Sequence, residues 1–443
     1  MKGDNMVPPI PSRQEALNRT RQNIEKKTAK SPGQLYAERE NRVRDAISLK
    51  EPDRVPVNIG GGGYFAARYA GLNAAAMYYD VAAWRESLKK ATLDLEPDLY
   101  EVGGGLAGSG LSLEILDAQQ ILWPGGNLPA NTSHQFVERE YLREDEYDLF
   151  ISDPFDFIVR YYLPRVFGAL KPLSDLPPIM PLTGAAVFST VLHVFARPEL
   201  KQAGQALFRA AQAQEKWHQA MSNFREEMAS LGFPPSSHLS CGGAPFDAVS
   251  DYLRGMRGSM LDMYRQPEKL VAACEKILEW RLLREISAYP KATGWRASCA
   301  LLRGADGFMS RKQYESFYWP GMKRILLSLI ERDLVPVVFC EGSCDSRLEY
   351  FLELPKGKFV CRFDQTDMVK AKAVLGGHCC ISGNVPSSLL QVGSPQEVEE
   401  YCHDLIRVAG KGGGFIMTSS GFIDDASPAN VKAMVDSVKK YRP

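Results

Sequence analysis

The chain has 443 residues, 45% hydrophobic and 10% aromatic, enough to bury a large core in two ordinary domains or one elaborated barrel. Its 53 basic residues balance 53 acidic ones, so no net field would hold it on phosphate backbones or anionic lipid, and nucleic acid is not an expected partner. The nine cysteines are odd in number and all lie between Cys241 and Cys402, which predicts reduced thiols, no structural disulfides and a cytoplasmic setting.

The first residues, MKGDNMVPPIPSRQEALNRTRQNIEKK, contain no apolar h-region and do not read as a secretory signal. Residues 1–50 are polar and rich in Arg, Lys, Glu and Ala, which predicts an arm of one or two exposed helices. The packed domain is expected to begin at EPDRVPVNIG and to span 51–443. From there, short Val, Ile and Leu runs alternate with helical patterns, the signal for strands joined by crossover helices in a parallel sheet.

Nine segments read as strands: 55–59, 99–102, 179–182, 238–241, 298–302, 336–340, 358–362, 379–382 and 415–418. Nine is close to the eight of an (α/β)8 TIM-type barrel, in which chemistry sits where strands end and loops begin. The apolar window IMPLTGAAVFSTVLHVFA carries Pro181, Gly184, Ser189, Thr190 and His193, so it reads as a buried strand followed by a helix rather than a membrane span. Residues 311–332 place Tyr314, Phe317, Tyr318, Ile325, Leu329 and Ile330 on one stripe, a helix packed on a sheet. Near the end, SPQEVEEYCHDLIRV supplies Ser394 as N-cap, Pro395 at the first helical position and Glu397 for a capping box, and SPANVKAM repeats cap and proline with Ser427 and Pro428.

The first strand ends in IGGGGYFAARYAG, where Gly60 to Gly63 allow a tight turn or a close approach to ligand, with Tyr64 next in line as a substrate contact. That loop lacks the Lys and Ser/Thr of a phosphate loop, and GGGLAG further on lacks the acidic residue that a dinucleotide fingerprint needs about twenty positions later. Other strand ends are richer in chemistry. VPVVFCEGSCDSRLEYF begins with six uncharged residues and then sets Cys340, Glu341, Cys344, Asp345 and Arg347 close together. SSHLSCGGAPF brings His238, LLRGADGFMS brings Arg303 and Asp306, FVCRFDQTD brings Arg362, Asp364 and Asp367, and GGHCCISGN brings Cys380 and Asn384.

A carboxylate directly after a buried strand needs a partner or a function, so Glu341 is the leading catalytic candidate, with Arg303, Arg347 or Arg362 as its structural partner in the alternative. Asp306 and Asp364 join it as catalytic candidates, and Arg303, Arg347 and Asn384 as substrate contacts. If these ends share one mouth, Glu341, His238, Cys380 and Cys340 are candidate ligands for zinc, a metal that accepts carboxylate, imidazole and thiolate. Each has a plain alternative: His238 as a satisfied core histidine, the cysteines as small hydrophobes, Asp345 as a helix cap over a packed Cys344.

The stretches GGAPFDAVSDYLRGMRGSMLDMYRQPEKL, LLRGADGFMSRKQYESFYWPGMKRIL and CCISGNVPSSLLQVGSPQEVEEY, with WPGG and SHQFVEREYLREDEYDLFISDPFDF upstream, resemble the uroporphyrinogen decarboxylase superfamily over roughly residue 40 to the end. The resemblance implies an (α/β)8 barrel with extra helices. It also implies one of two chemistries, porphyrin decarboxylation or methyl transfer involving corrinoid proteins. The decarboxylases carry an Arg-Gln-Ala-Gly-Arg motif after the first strand; here that place reads GGGGYFAARYAGL, with only Arg68 near. The thiol-activating methyltransferases carry a zinc-binding His-x-Cys before glycine and a later cysteine; here the places read Phe339-Cys340-Glu341-Gly342 and SSGFIDD. No Asp-x-His-x-x-Gly cobalt-ligating motif occurs, so a corrinoid would arrive on a partner protein. The expectation is a methyltransferase-like enzyme acting on a small methyl donor or acceptor, with a homodimer among its expected assemblies. Decarboxylation is the first alternative and a catalytically silent tetrapyrrole-binding barrel the second.

Overall fold

The computed structural model describes residues 13–60, 63–101, 108–178 and 184–441. Two short segments, β1 at 57–58 and β2 at 99–100, make parallel bridges from Val57 to Met417, Asn58 to Leu99 and Tyr100 to Pro235. Six longer strands follow: β3 (Leu239–Gly243), β4 (Arg296–Leu301), β5 (Val335–Cys340), β6 (Val360–Phe363), β7 (Cys380–Val385) and β8 (Phe415–Ser419). They are hydrogen-bonded in that order and all parallel. Since β8 returns to β1 and β2 meets the chain entering β3, the eight segments close into an (α/β)8 barrel. Eight of the nine expected strands are members of this ring. The ninth, 179–182, lies outside the described residues, as do 61–62 of the glycine turn and most of GGGLAG.

Strand parity sorts the side chains into two layers, because successive residues point to opposite faces. On the outer face Val338, Cys340, Cys361, Phe363, Cys379, Ile381, Phe415 and Met417 join the large core against the surrounding helices. On the inner face Val335, Val360, Cys380 and Ile416 form a separate cluster at the amino-terminal end of the barrel. All nine cysteines are free and buried.

Helix α1 (Arg13–Thr28) buries nothing, as expected of a polar arm. Helix α2 (Pro32–Ile47) behaves differently and is not an exposed element. Ser31 caps it in a capping box with Gln34, and Val43, Ala46 and Ile47 close the barrel floor against Val335, Val360, Cys380 and Ile416. Their spacing i, i+3, i+4 is an apolar stripe that the surrounding charges mask in sequence. Arg42 reinforces the floor by donating to Asp53 and Asp98 at 2.6 Å, and Arg54 donates to Asp98 as well. The predicted helix at 311–332 runs from Arg311 to Ile330 with an internal wide turn, and it buries Tyr314, Tyr318, Ile325 and Leu329.

The apolar window at 179–196 departs from its expected burial: in the helix Ala185–Phe195 only Val194 is buried, while Val187, Phe188, Leu192 and Phe195 face solvent. Among the described residues no helix is long and apolar enough to cross a membrane.

Candidate active site at the barrel mouth

The segments that follow β3, β4, β5 and β6 bring four ionisable side chains together, Asp251, Arg303, Glu341 and Asp364. Glu341 follows β5 and shares the inner face with Val337 and Phe339, so its carboxyl points to the mouth while Cys340 turns outward. Gly342 then adopts φ 75°, a conformation glycine reaches without a Cβ penalty, and its amide donates to Asp364 Oδ2 at 2.9 Å. Arg303, at the end of β4, donates from Nε to Asp251 Oδ1 at 3.0 Å and lies 5.0 Å above the Phe308 ring.

Burial raises the Glu341 carboxyl above its ordinary range; the Arg303 guanidinium opposes this, and the negative charges of Asp364 and Asp251 add to it. The residue opens to solvent, yet the surrounding protein displaces part of the water that would stabilise its charge. Asp251 is raised by burial in the same way, with Arg303 opposing. Three carboxylates against one guanidinium give the mouth a negative balance.

A buried anchor holds this arrangement. Asp247, 2% exposed, accepts from Tyr318 Oη at 2.6 Å and from the amides of Arg303 at 2.9 Å, Leu302 at 3.3 Å and Ala244 at 3.2 Å. It ties the end of β4 to the helical turn that carries Asp251. Burial lifts its carboxyl to about 7, partly offset by those hydrogen bonds. Below Glu341 the lumen holds a cavity of about 360 Å³ with polar and apolar walls. There Glu101 accepts from Asn58 at 2.8 Å and Arg362 at 3.1 Å, and Arg362 covers the Phe339 ring at 4.9 Å. Arg362 is therefore the partner of Glu101 rather than of Glu341.

Of the sequence candidates, the structure brings Glu341, Arg303 and Asp364 together, with Asn384 behind Asp364. The Asn384 amide donates to the carbonyls of Asp364 at 3.1 Å and Thr366 at 2.9 Å. The remaining candidates go elsewhere. Asp306 is a helix cap: it accepts from Ser346 N at 3.2 Å and Ser346 Oγ at 2.6 Å, the role expected of Asp345. Arg347, 1% exposed, donates to the carbonyls of Gly304 and Met309 and lies 4.6 Å above Tyr314, which makes it a structural tie. Tyr64 is 3% exposed and bonds Tyr78 Oη and His134 Nδ1, each at 3.0 Å, inside a core of amino-terminal helices.

The expected zinc set does not assemble. Cys340 faces the outer core. Cys380 faces the lumen, as its parity with Ser382 and Asn384 suggests, but its register partner is Val360, opposite Val337. Glu341 lies four residues beyond Val337, about 13 Å along the strand at ~3.3 Å per residue. His238 sits just before β3 and accepts from the Arg296 amide of β4, stacked on Trp295 at 5.1 Å, with burial and Arg296 pushing its pKa down to about 4. Among the described residues no group of three His, Cys, Asp or Glu side chains is arranged to hold a metal ion. These four donors therefore do not fit zinc.

Asp251 is the site residue that sequence reading missed. It lies in GAPFDAVSDYLRG, four positions after Asp247, a spacing that puts both on one helical face.

The fold and the mouth define a parallel α/β barrel with a carboxylate-rich carboxyl-terminal opening. Residues 238–441, which contain β3 to β8, match the family described as Uroporphyrinogen decarboxylase (URO-D). A uroporphyrinogen decarboxylase of Christiangramia forsetii is 28% identical over 137 residues, 31% of this chain and 39% of that relative's length. A methyltransferase from Methanosarcina mazei superposes with a TM-score of 0.56 at 15% identity, covering 91% of this chain and 98% of that one. This last likeness is one of fold.

Proposed function

We propose that the barrel moves a methyl group between a small substrate and a corrinoid carried by a partner protein. Glu341 serves as the proton donor and acceptor at the substrate's heteroatom. The observation that carries this reading is the Glu341 carboxyl itself, on the inner face at the mouth, raised above its usual range and flanked by Arg303, Asp251 and Asp364. A carboxyl whose hold on its proton is raised above the ordinary glutamate range is suited to general acid–base work. Arg303, steered by Asp251, positions substrate, and Asp364 fixes the turn after Glu341 through the Gly342 amide. The corrinoid supplies the centre that gives or takes the methyl group. Glu341 opens to solvent, so a group presented on a second protein has access to it. The name of the Methanosarcina neighbour, a methyltransferase, supports the same choice.

Porphyrinogen decarboxylation is the second reading, favoured by the family match over residues 238–441. Electrostatics weigh against it. Arg68, the one cation after the first strand, is engaged by Asp425, the Asp424 carbonyl and Asn131, and an acidic mouth repels a polycarboxylate. A corrinoid protein mixed with purified chain and methyl donor should show a donor-dependent change in its visible spectrum. Glu341→Gln should abolish that change while circular dichroism stays native. Full turnover in this variant would remove Glu341 from the mechanism, and carbon dioxide release from porphyrinogens without corrinoid protein would establish the second reading.

A further inference from the structure

Beside the mouth, the loops after β6 and β7 enclose an open groove of about 730 Å³ whose lining includes Asp364, Asp367, Asn384, Tyr401 and Asp404. No Lys, Arg or His is among the described residues that line it. Asp367 is engaged as the cap of helix Met368–Leu375; of the two other carboxylates, Asp364 accepts from the Gly342 amide through Oδ2, and Asp404 makes an exposed i,i+3 pair with Arg407 at 3.3 Å.

An independent feature points to a ligand there. Asn384 is 7% exposed, and its amide nitrogen is committed to the carbonyls of Asp364 and Thr366. Those two acceptors fix the orientation of the amide, so its other end is the oxygen. Asn384 Oδ1 is buried and has no hydrogen-bond partner among the described residues. A buried acceptor without a donor costs about 1–3 kcal/mol, so its retention calls for a ligand that donates. Carboxylates on a lining that carries no cation of its own, one of them held only by an exposed pair worth little, together with an unmatched acceptor, are complementary to a group that is positively charged and carries N–H.

We propose that this groove is a subsite for a protonated amine, the anchoring end of the small substrate. The inference rests on the methyl-transfer reading above and deepens it. Asp364 belongs to both places, so the ammonium occupies the groove while the methyl-bearing heteroatom, a different atom of the same molecule, lies toward Glu341. Binding energy gained at such a remote group orients the reacting centre.

The test is calorimetric titration of the full chain with three probes: 2-methoxyethylammonium, the neutral 2-methoxyethanol, and the N-trimethylated cation of the same skeleton. The ammonium should bind about tenfold more tightly than the alcohol, and the trimethylated cation should fall between them because it keeps the charge but has no N–H. Asp404→Asn, at an exposed position that leaves the fold intact, should weaken ammonium binding about two- to threefold, and Asp364→Asn should weaken it more. Glu341→Gln should keep the preference for ammonium over alcohol. Equal affinity for ammonium and alcohol, or a preference undiminished in both aspartate variants, overturns the subsite. Loss of the preference with Glu341-dependent turnover intact overturns the subsite alone; an intact preference with full turnover in Glu341→Gln overturns the proposed reaction alone.

Discussion

The floor and the mouth of this barrel are built from the same eight strands and solve opposite problems. At the floor every charge is answered: Asp98 accepts from Arg42, Arg54 and the Val57 amide, and α2 seals the lumen with Val43, Ala46 and Ile47. At the mouth charges are left incompletely answered: Glu341 and Asp251 share one Arg303 with the Asp364 charge close by, and Asn384 Oδ1 has no hydrogen-bond partner among the described residues. The difference separates stability from chemistry along the barrel axis, as the amino-terminal and carboxyl-terminal faces of this fold generally do. Substitutions at the two ends should therefore fail in different assays.

The largest effect is expected at the mouth. Glu341→Gln should lower turnover by about a hundredfold or more with little change in the unfolding midpoint. In the unaltered protein the raised Glu341 carboxyl should keep its proton to higher pH than an ordinary glutamate. Acid-dependent turnover should then decline as pH rises through that raised value, a limb read from a pH–rate profile and absent from the Gln variant.

The floor should show the converse. Asp98→Asn strips a buried carboxylate from two guanidiniums and should cost about 3–5 kcal/mol in urea unfolding, with turnover per folded molecule nearly unchanged. Ile47→Ala, which opens a cavity under the lumen, should cost about 2–5 kcal/mol and likewise spare turnover.

Asp247 sharpens the comparison because it is a mouth residue with a structural task. Its folded-state pKa of about 7 lies above the value an unfolded aspartate has, so the folded protein binds the extra proton between the two values. Unfolding free energy from this group should fall as pH rises from about 4 to 7 and then level. Urea midpoints at pH 5 and 8 should reveal this slope in the native sequence and a flatter one in Asp247→Asn.

The smallest effect belongs to Cys380→Ala. Its thiol lies in the floor cluster, so the cost should be about 1 kcal/mol in unfolding, with turnover unaffected. A large loss of turnover here would place Cys380 in the chemistry and contradict the separation of the two ends.

Much of this architecture was legible in the sequence, because its signals are local. Alternating apolar runs and helical stripes marked the eight ring segments, the capping box at Ser394 and Glu397 marked its helix, and the uncharged run before it marked Glu341 as a carboxylate at a buried strand's end. The spacing of cysteines without a framework agreed with nine free thiols. What the chain could not declare was height along the barrel and choice of partner. Register between strands far apart in sequence places Cys380 beside Val360 on the floor and Glu341 at the rim, gives Arg362 to Glu101 and Arg303 to Asp251, and turns Asp306 into a cap. Residue type and parity follow from the nearest neighbours in the chain. Height and pairing are fixed only when the ring closes, because the hydrogen-bond ladder then sets every strand's offset against the next.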